Sequence, residues 1–304
     1  MATLRDIRRR IRSIGSTAQI TKTMEMVSAA KLRRAQTVLE SARPFATDLT
    51  DVLGNLTQAS GEALHPTFLR REVARRAIVL VTSDRGLCGA FNSNLMRTAE
   101  SRMRERPQPT SLVLIGKKGY EYFRRRGASI LTHRVDLAAA SIWKFALEVS
   151  RDLMARFDAL ELDEVDLVYT HYKSALNRHI VLEPYLPLGR GAAAAGAAHP
   201  AAVAGAAHPA AAGGSAAPRR DYLFEPGPEE ILAQIVPYFL AMRLYMALAE
   251  SAASEHGARM ISMGSATKNA HELIDTLTLH MNRTRQATIT REIVEIVGGA
   301  EALK

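Results

Sequence analysis

The sequence predicts an α/β domain combined with a coiled coil, in which long N- and C-terminal helices pair antiparallel and bracket an inserted Rossmann-like domain. Three observations carry this. Apolar and small residues recur at steps of three and four through residues 1–60, and again through the last part of the chain. Between these stretches the period changes to short β-branched runs separated by helical patterns. Each terminal pattern covers only a narrow apolar stripe, so neither helix can bury itself alone.

The first element is a helix over residues 1–60. Its seam reads Leu4, Ile7, Ile11, Ile14, Ala18, Thr21, Met24, Val27, Leu32, Ala35, Leu39, Ala42, Phe45, Leu49, Val52 and Leu56. At about 1.5 Å per residue it is on the order of 80 Å long. Pro44 is expected to kink it. The seam turns small or polar from Thr21 to Ser28, while Lys22, Lys31, Arg33 and Arg34 occupy the other faces. Gly61 and Pro66 end the pattern.

An α/β domain follows, at residues 74–190. Its strands read Ala77 to Ser83, Ser111 to Gly116, Ala128 to His133 and Val165 to Tyr172. His179 to Leu188 reads as an edge strand, because Pro184 and Pro187 cannot serve a central ladder. Helices fit at Asn92 to Arg106, Lys118 to Arg126 and Ala138 to Leu160, giving a mostly parallel sheet with helices on both faces. Residues 191–218 repeat GAAHPAA at Gly196 and Gly205 and hold no large apolar residue except Val203, so they read as a flexible surface insertion. His199 and His208 on such a tract make a poor metal pair. The closing helix occupies residues 226–304, with Pro228 at its first turn and Glu229 and Glu230 beside the positive end of its dipole. Its seam runs Ile235, Tyr238, Met242, Tyr245, Ala249, Ala252, His256, Arg259 or Met260, Met263, Ala266, Ala270, Leu273, Leu277, His280 or Met281, Thr284, Ala287, Arg291 and Val294, and Gly298 and Gly299 are expected to stop it. Antiparallel pairing of the two seams sets Ala18 opposite Leu277 and Leu32 opposite Met263.

Composition limits the function classes. A chain of 304 residues with 47% apolar content has material for a substantial core. A net charge of +9 suits an acidic partner. Cys88 is the only cysteine, which excludes an internal disulfide framework and a cysteine-based zinc cluster. No apolar run reads as a transmembrane span, and the basic start lacks the uninterrupted apolar core of a signal peptide. A nucleic-acid-associated coiled coil is the competing class, but the chain shows no reading motif and only 6% aromatic residues for stacking. An enzymatic α/β domain is the third. The segment SDRGLCG follows a strand and precedes a helix, where a phosphate loop would lie, yet it has neither GxGxxG nor GxxxxGK[ST] spacing. Cys88 there reads as a small buried residue, with Gly86 and Gly89 serving a tight turn.

Three separated segments, TLRDIRRRIRSIGSTAQITKTMEMVSAAKLRRAQ, SDRGLCGAFN and RQATITREIVEIVGGAEAL, resemble the gamma subunit of F-type ATP synthase, in the same order and across nearly the whole chain apart from the insertion. The resemblance implies a non-catalytic rotor without a cofactor. One copy would stand inside the alpha/beta hexamer, beside an epsilon subunit and on the membrane c-ring, at the cytoplasmic face of a bacterial plasma membrane. It implies a beta-subunit contact by Arg285 and Gln286, with Thr290 close by, and another by Met24 with Lys22, Lys31 and Arg33 around it. It implies that Ile293, Val294, Ile296, Val297 and Leu303 turn in an apolar bearing, and that Gly86, Cys88 and Gly89 form a structural turn. Plastid members carry a redox-active cysteine pair near the insertion. Residues 191–218 contain no cysteine, which excludes thiol switching there.

Overall fold

The computed structural model describes residues 4–60, 65–137, 141–188 and 227–301. The insertion at 191–218, with His199 and His208, and the candidate bearing residue Leu303 lie outside the described residues. Helix α1 spans Leu4–Ser60, 57 residues, and runs through Pro44. A 3₁₀ turn at Pro66–Phe68 leads to β1 (Arg76–Val81), α2 (Phe91–Arg104), β2 (Thr110–Ile115), α3 (Lys117–Arg124), β3 (Ile130–Arg134), α4 (Ile142–Asp158), β4 (Glu164–Tyr172) and β5 (Arg178–Leu186). Helix α5 spans Pro228–Glu301, 74 residues. It continues through Gly298 and Gly299, contrary to the expected stop. Two glycines cost roughly 2 kcal/mol relative to alanine in a helix interior, which a helix of this length absorbs.

The five strands lie in the order β3-β2-β1-β4-β5. β1 to β4 are parallel, and β5 runs antiparallel at the edge, where Pro184 needs no ladder donor. Alternation along the strands splits the core in two. Val79, Val81, Val113 and Leu167 face α4 and the long helices, where Phe145, Leu153, Phe157, Phe239 and Leu240 cover them. Ile78, Leu80, Leu112, Leu114 and Val168 face α2 and α3, meeting Phe91, Leu95 and Phe123. At one end of the sheet, buried Arg76 bridges Glu164 (2.7 Å) and Asp166 (2.9 Å), and Arg102 of α2 reaches the same Asp166 at 2.7 Å. These partners hold the Arg102 guanidinium above its ordinary value.

The two long helices pack against each other antiparallel. Thr21 Oγ1 lies 2.8 Å from Thr267 Oγ1, and a Cβ on Gly264 would meet Glu25 Cδ at 3.4 Å. Lower down, Leu32 and Leu39 share a cluster with Ala249 and Ala253, and Leu53 and Leu56 share one with Leu232 and Val236. Each step forward on α1 thus matches one backward on α5. This register sets Ala18 near Ala270 and Leu32 near His256, one heptad from the expected partners Leu277 and Met263. A seven-residue slip, about 10 Å of axial travel, keeps the two seams facing each other. The threonine pair and the glycine–glutamate fit mark the observed register.

The seam also departs from its sequence reading. Val27, Phe45, Tyr238 and Leu273 are exposed, whereas Ser28 and Thr50 are buried in their place. Ser28 donates to Met24 O at 2.7 Å and Thr50 to Ala46 O at 2.7 Å. A hydroxyl satisfied by its own helix can sit in a seam without a desolvation penalty. The narrow-stripe reading also fails for the first half of α5. From Leu232 to Arg259 this helix packs on α4 and β4 as well as α1, and most of its circumference is buried. It contains the one stretch among the described residues long and apolar enough to cross a membrane by composition, contrary to the sequence reading; half of that stretch is buried inside the protein.

Candidate functional site: a clamped shaft with a free tip

Continued to its end, the register brings Leu4, where described α1 begins, opposite Thr284 of α5. Among the described residues, α5 extends alone beyond this level, about 25 Å from Arg285 to Glu301. Arg285, Gln286 and Thr290 are all exposed on this single helix. So are Ile289 (48%), Ile293 (55%), Val294 (63%), Ile296 (72%) and Val297 (59%), a degree of apolar exposure that marks a surface made to be covered. The other candidates lie on α1, some twenty to thirty residues further down the shaft. Lys22, Lys31 and Arg33 are exposed and Met24 is half-buried. Lys22 pairs with Glu25 at 3.3 Å on the surface, a contact worth at most a few tenths of a kcal/mol. The structure therefore separates two patches, one around Lys22–Arg33 and one at the tip. Both lie on the shaft, the lower one reaching the level where Leu32 packs with Tyr172 of β4.

The lower shaft is tied to the α/β domain by buried polar bonds. Glu250 of α5 meets His171 Nδ1 of β4 at 2.6 Å. Ser251 Oγ accepts from Thr170 N, and Ser254 Oγ donates to Thr170 O. Tyr185 of β5 donates to Leu240 O at 2.8 Å, and Arg243 pairs with Glu183 at 3.1 Å. Burial pushes the Tyr169 and Tyr185 phenols well above the ordinary tyrosine value, so both stay neutral. None of these ties was legible in the sequence. Glu250, Ser251 and Ser254 carry no pattern of their own, because their strand partners are about eighty residues away in the chain.

The turn after β1 is the third element. Arg259 of α5, mostly buried, donates from Nε to Gly86 O and from Nη2 to Arg85 O, each at 3.1 Å, and holds Glu255 at 2.7 Å. Burial raises the Glu255 carboxyl and lowers His256 to about 4, with Arg259 and then Lys31 adding to the depression of the imidazole. Gly89 has φ +58, and a Cβ there would lie 3.0 Å from Ser262 Oγ, so glycine is required twice over. Gly86 has no such demand. The other left-handed residue of this turn is Leu87 at φ 65, a correction to the paired-glycine reading. Cys88 is buried beside Ser83 Oγ (3.8 Å) and Asn92 Nδ2 (3.3 Å), with no imidazole among its hydrogen-bond partners. In a parallel sheet of this order a nucleotide would sit at the switch point between β1 and β4. At this turn Arg259 occupies the carbonyls of Arg85 and Gly86, and on the β2–β3 side Asp84 accepts from Lys117 N (2.9 Å) and Asp136 N (3.1 Å), capping α3.

Fold and site together define a class of protein: a paired-helix shaft, clamped at its base by an α/β domain, with a bare apolar tip. The chain belongs to the ATP synthase gamma chain family. The family model described as ATP synthase matches residues 3–303. The chain is 44% identical over 304 residues to the ATP synthase gamma chain of Desulforamulus reducens and 43% identical over 304 residues to that of Moorella thermoacetica, with all of both chains covered in each case. Among solved structures it resembles a chain of the rotor of the Euglena gracilis mitochondrial ATP synthase (TM-score 0.60, 18% identity, 94% of this chain and 98% of that one). It also resembles one from the central stalk and c-ring structure of the Tetrahymena thermophila mitochondrial enzyme (TM-score 0.58, 24% identity, 81% and 99%). At these identities the two likenesses speak to the fold.

Proposed function

We propose that this chain is the central-stalk rotor of a bacterial F-type ATP synthase. It couples proton-driven rotation of the membrane c-ring to conformational change in the catalytic beta subunits, and carries no catalytic site or cofactor of its own. The observation that carries this reading is the bare tip. A single helix with four apolar residues more than half exposed requires an enclosing partner, and the alpha/beta hexamer of the complex is the one the family supplies. Ile293, Val294, Ile296 and Val297, with Leu303, would turn against an apolar sleeve that offers no directional bond to break. Arg285, Gln286 and Thr290, where α5 leaves its partner helix, would exchange charge-assisted hydrogen bonds with successive beta subunits. Met24, Lys22, Lys31 and Arg33 would meet an acidic segment of beta lower on the shaft. The α/β domain, beside an epsilon subunit, would rest on the c-ring at the cytoplasmic face of the plasma membrane, one copy per complex. A shaft with different residues on each face biases each beta subunit differently, which is a coupling free energy between sites.

The test is Arg285→Ala in the assembled complex. Loss of one charge-assisted contact is expected to lower steady-state ATP hydrolysis by about two- to tenfold. The unfolding midpoint of the isolated chain should not move, because Arg285 is exposed. Parental turnover in a fully assembled complex would refute the role of this contact. Failure of the chain to co-purify with an alpha/beta hexamer would refute the reading as a whole.

A further inference from the structure

Beside the turn after β1, toward the end of β4, lies a cleft of about 260 Å³. We propose that it is an oxyanion site that takes inorganic phosphate. Four features converge there. The rim is Gly89, Ala90 and Phe91, the start of the 14-residue helix α2, and no side chain caps this helix end. Its amides and dipole present partial positive charge to the cleft. Thr170 lines the floor at 4% exposure, and its Oγ1 has no hydrogen-bond partner. Thr170 follows Val168 by two residues on β4, and Val168 packs with Cys88 and Phe91, so the hydroxyl side chain is on the α2 face of the sheet.

Arg178 forms one wall. Its Nη1 donates to Ala175 O at 2.8 Å, and no carboxylate among the described residues pairs with it. Burial lowers this guanidinium from its ordinary value, and the groups that oppose the shift are Tyr172 and Cys88. The rest of the lining among the described residues includes no Asp or Glu, and Ser262 adds a hydroxyl from α5. A partly desolvated cation without a counterion, a buried hydroxyl without a partner and an uncapped helix end are each costly alone, and one tetrahedral oxyanion would satisfy all three. The cleft is bounded by α2, β4, β5 and α5, so an anion there would bridge the α/β domain and the shaft.

The experiment is a calorimetric titration of the full chain with inorganic phosphate, with sodium chloride at matched ionic strength as the control. Millimolar affinity is expected, with no response to chloride. Arg178→Met should weaken binding by at least about tenfold. Thr170→Val should weaken it several-fold yet leave the phosphate-free melting temperature unchanged or higher, because no existing hydrogen bond is lost; a purely structural threonine would show the reverse. Because Arg178→Met also removes the bond to Ala175 O, the valine variant decides independently. Equal heats with chloride, or phosphate affinity unchanged in both variants, would overturn the proposal. Neither result bears on the rotor reading, which rests on the tip.

Discussion

His256 lies where three parts of the molecule meet: on α5, beside Arg259 that grips the turn after β1, and against Lys31 of α1. Its Nδ1 is 3.4 Å from Arg259 Nη1, and since a guanidinium can only donate, the neutral imidazole must accept there. Protonation destroys that acceptor and adds a third positive charge to a half-buried site. Burial first, and then the charges of Arg259 and Lys31, lower the folded value from the ordinary 6.5 to about 4. A base depressed on folding contributes stability that is complete above the unfolded value and is lost as pH falls toward the folded one. Between pH 7 and 5 the unfolded chain takes up the proton and the folded chain largely refuses it, a differential of about 1.8 kcal/mol from these two values. The ring is only partly buried, so solvent screening reduces this to about 1 kcal/mol. Glu255 acts in the opposite sense, since its raised carboxyl adds stability that is present below about 4.5 and lost as pH rises through its folded value. Comparing the parent with His256→Gln cancels that contribution, because glutamine keeps an acceptor for Arg259 and does not titrate. Urea midpoints at pH 7 and 5 are the assay. The parent should lose about 1 kcal/mol more than the variant over this interval. Parallel losses in the two chains would refute the assignment of a neutral, Arg259-bonded imidazole.

Three further outcomes are expected. With Cys88 replaced by serine, the pair Thr21→Cys and Thr267→Cys should form a disulfide on mild oxidation, visible as a gel shift, because the two hydroxyls are 2.8 Å apart; Ala18→Cys with Leu277→Cys should not, and the reverse result would restore the other register. Asp166→Ala leaves buried Arg76 and Arg102 short of a shared counterion and should cost about 3–5 kcal/mol by denaturant unfolding; a loss below about 1 kcal/mol would mean that Glu164 alone neutralises the cluster. Deleting residues 191–217 should leave assembly and ATP hydrolysis within about twofold of the parent, since an Ala/Gly/Pro tract contributes no buried core; a large loss of coupled activity would give the insertion a role.

The sequence exposed what depends on pattern and concealed what depends on partners. Strand runs such as residues 77–83 and the prolines of the last strand were sufficient for the sheet and its edge, because burial on both faces demands continuous apolar residues. The two long helices were equally plain from their period. The heptad repeat could not reveal its own phase. Val27 and Phe45 look like better seam residues than Ser28 and Thr50, and only the intrahelical hydroxyl bonds of the latter make the substitution acceptable. The same blindness to polar partners hid Glu250, Tyr185 and Arg259, whose roles require the strand or turn that the fold brings to them. The tip showed in the sequence as apolar residues at helical spacing, and only the family resemblance attached an external partner to them.

The same polar ties resolve a mechanical difficulty. A shaft that transmits torque must not creep along or around the domain that turns it, yet apolar seams are nearly indifferent to a slip of one heptad. At such a slip His171 would lose Glu250, Tyr185 would lose Leu240 O while keeping Ser150 Oγ, and Arg259 would lose the turn carbonyls while keeping Glu255. Each bond lost costs on the order of 0.5–1.5 kcal/mol, more where a group is charged. Three together are a large fraction of the stability of an ordinary domain. The polar bonds thus contribute little to holding the native register against unfolding and much to excluding its nearest rival. They cluster at the base, where the shaft meets the α/β domain, and none is found among the described residues of the tip beyond Thr290.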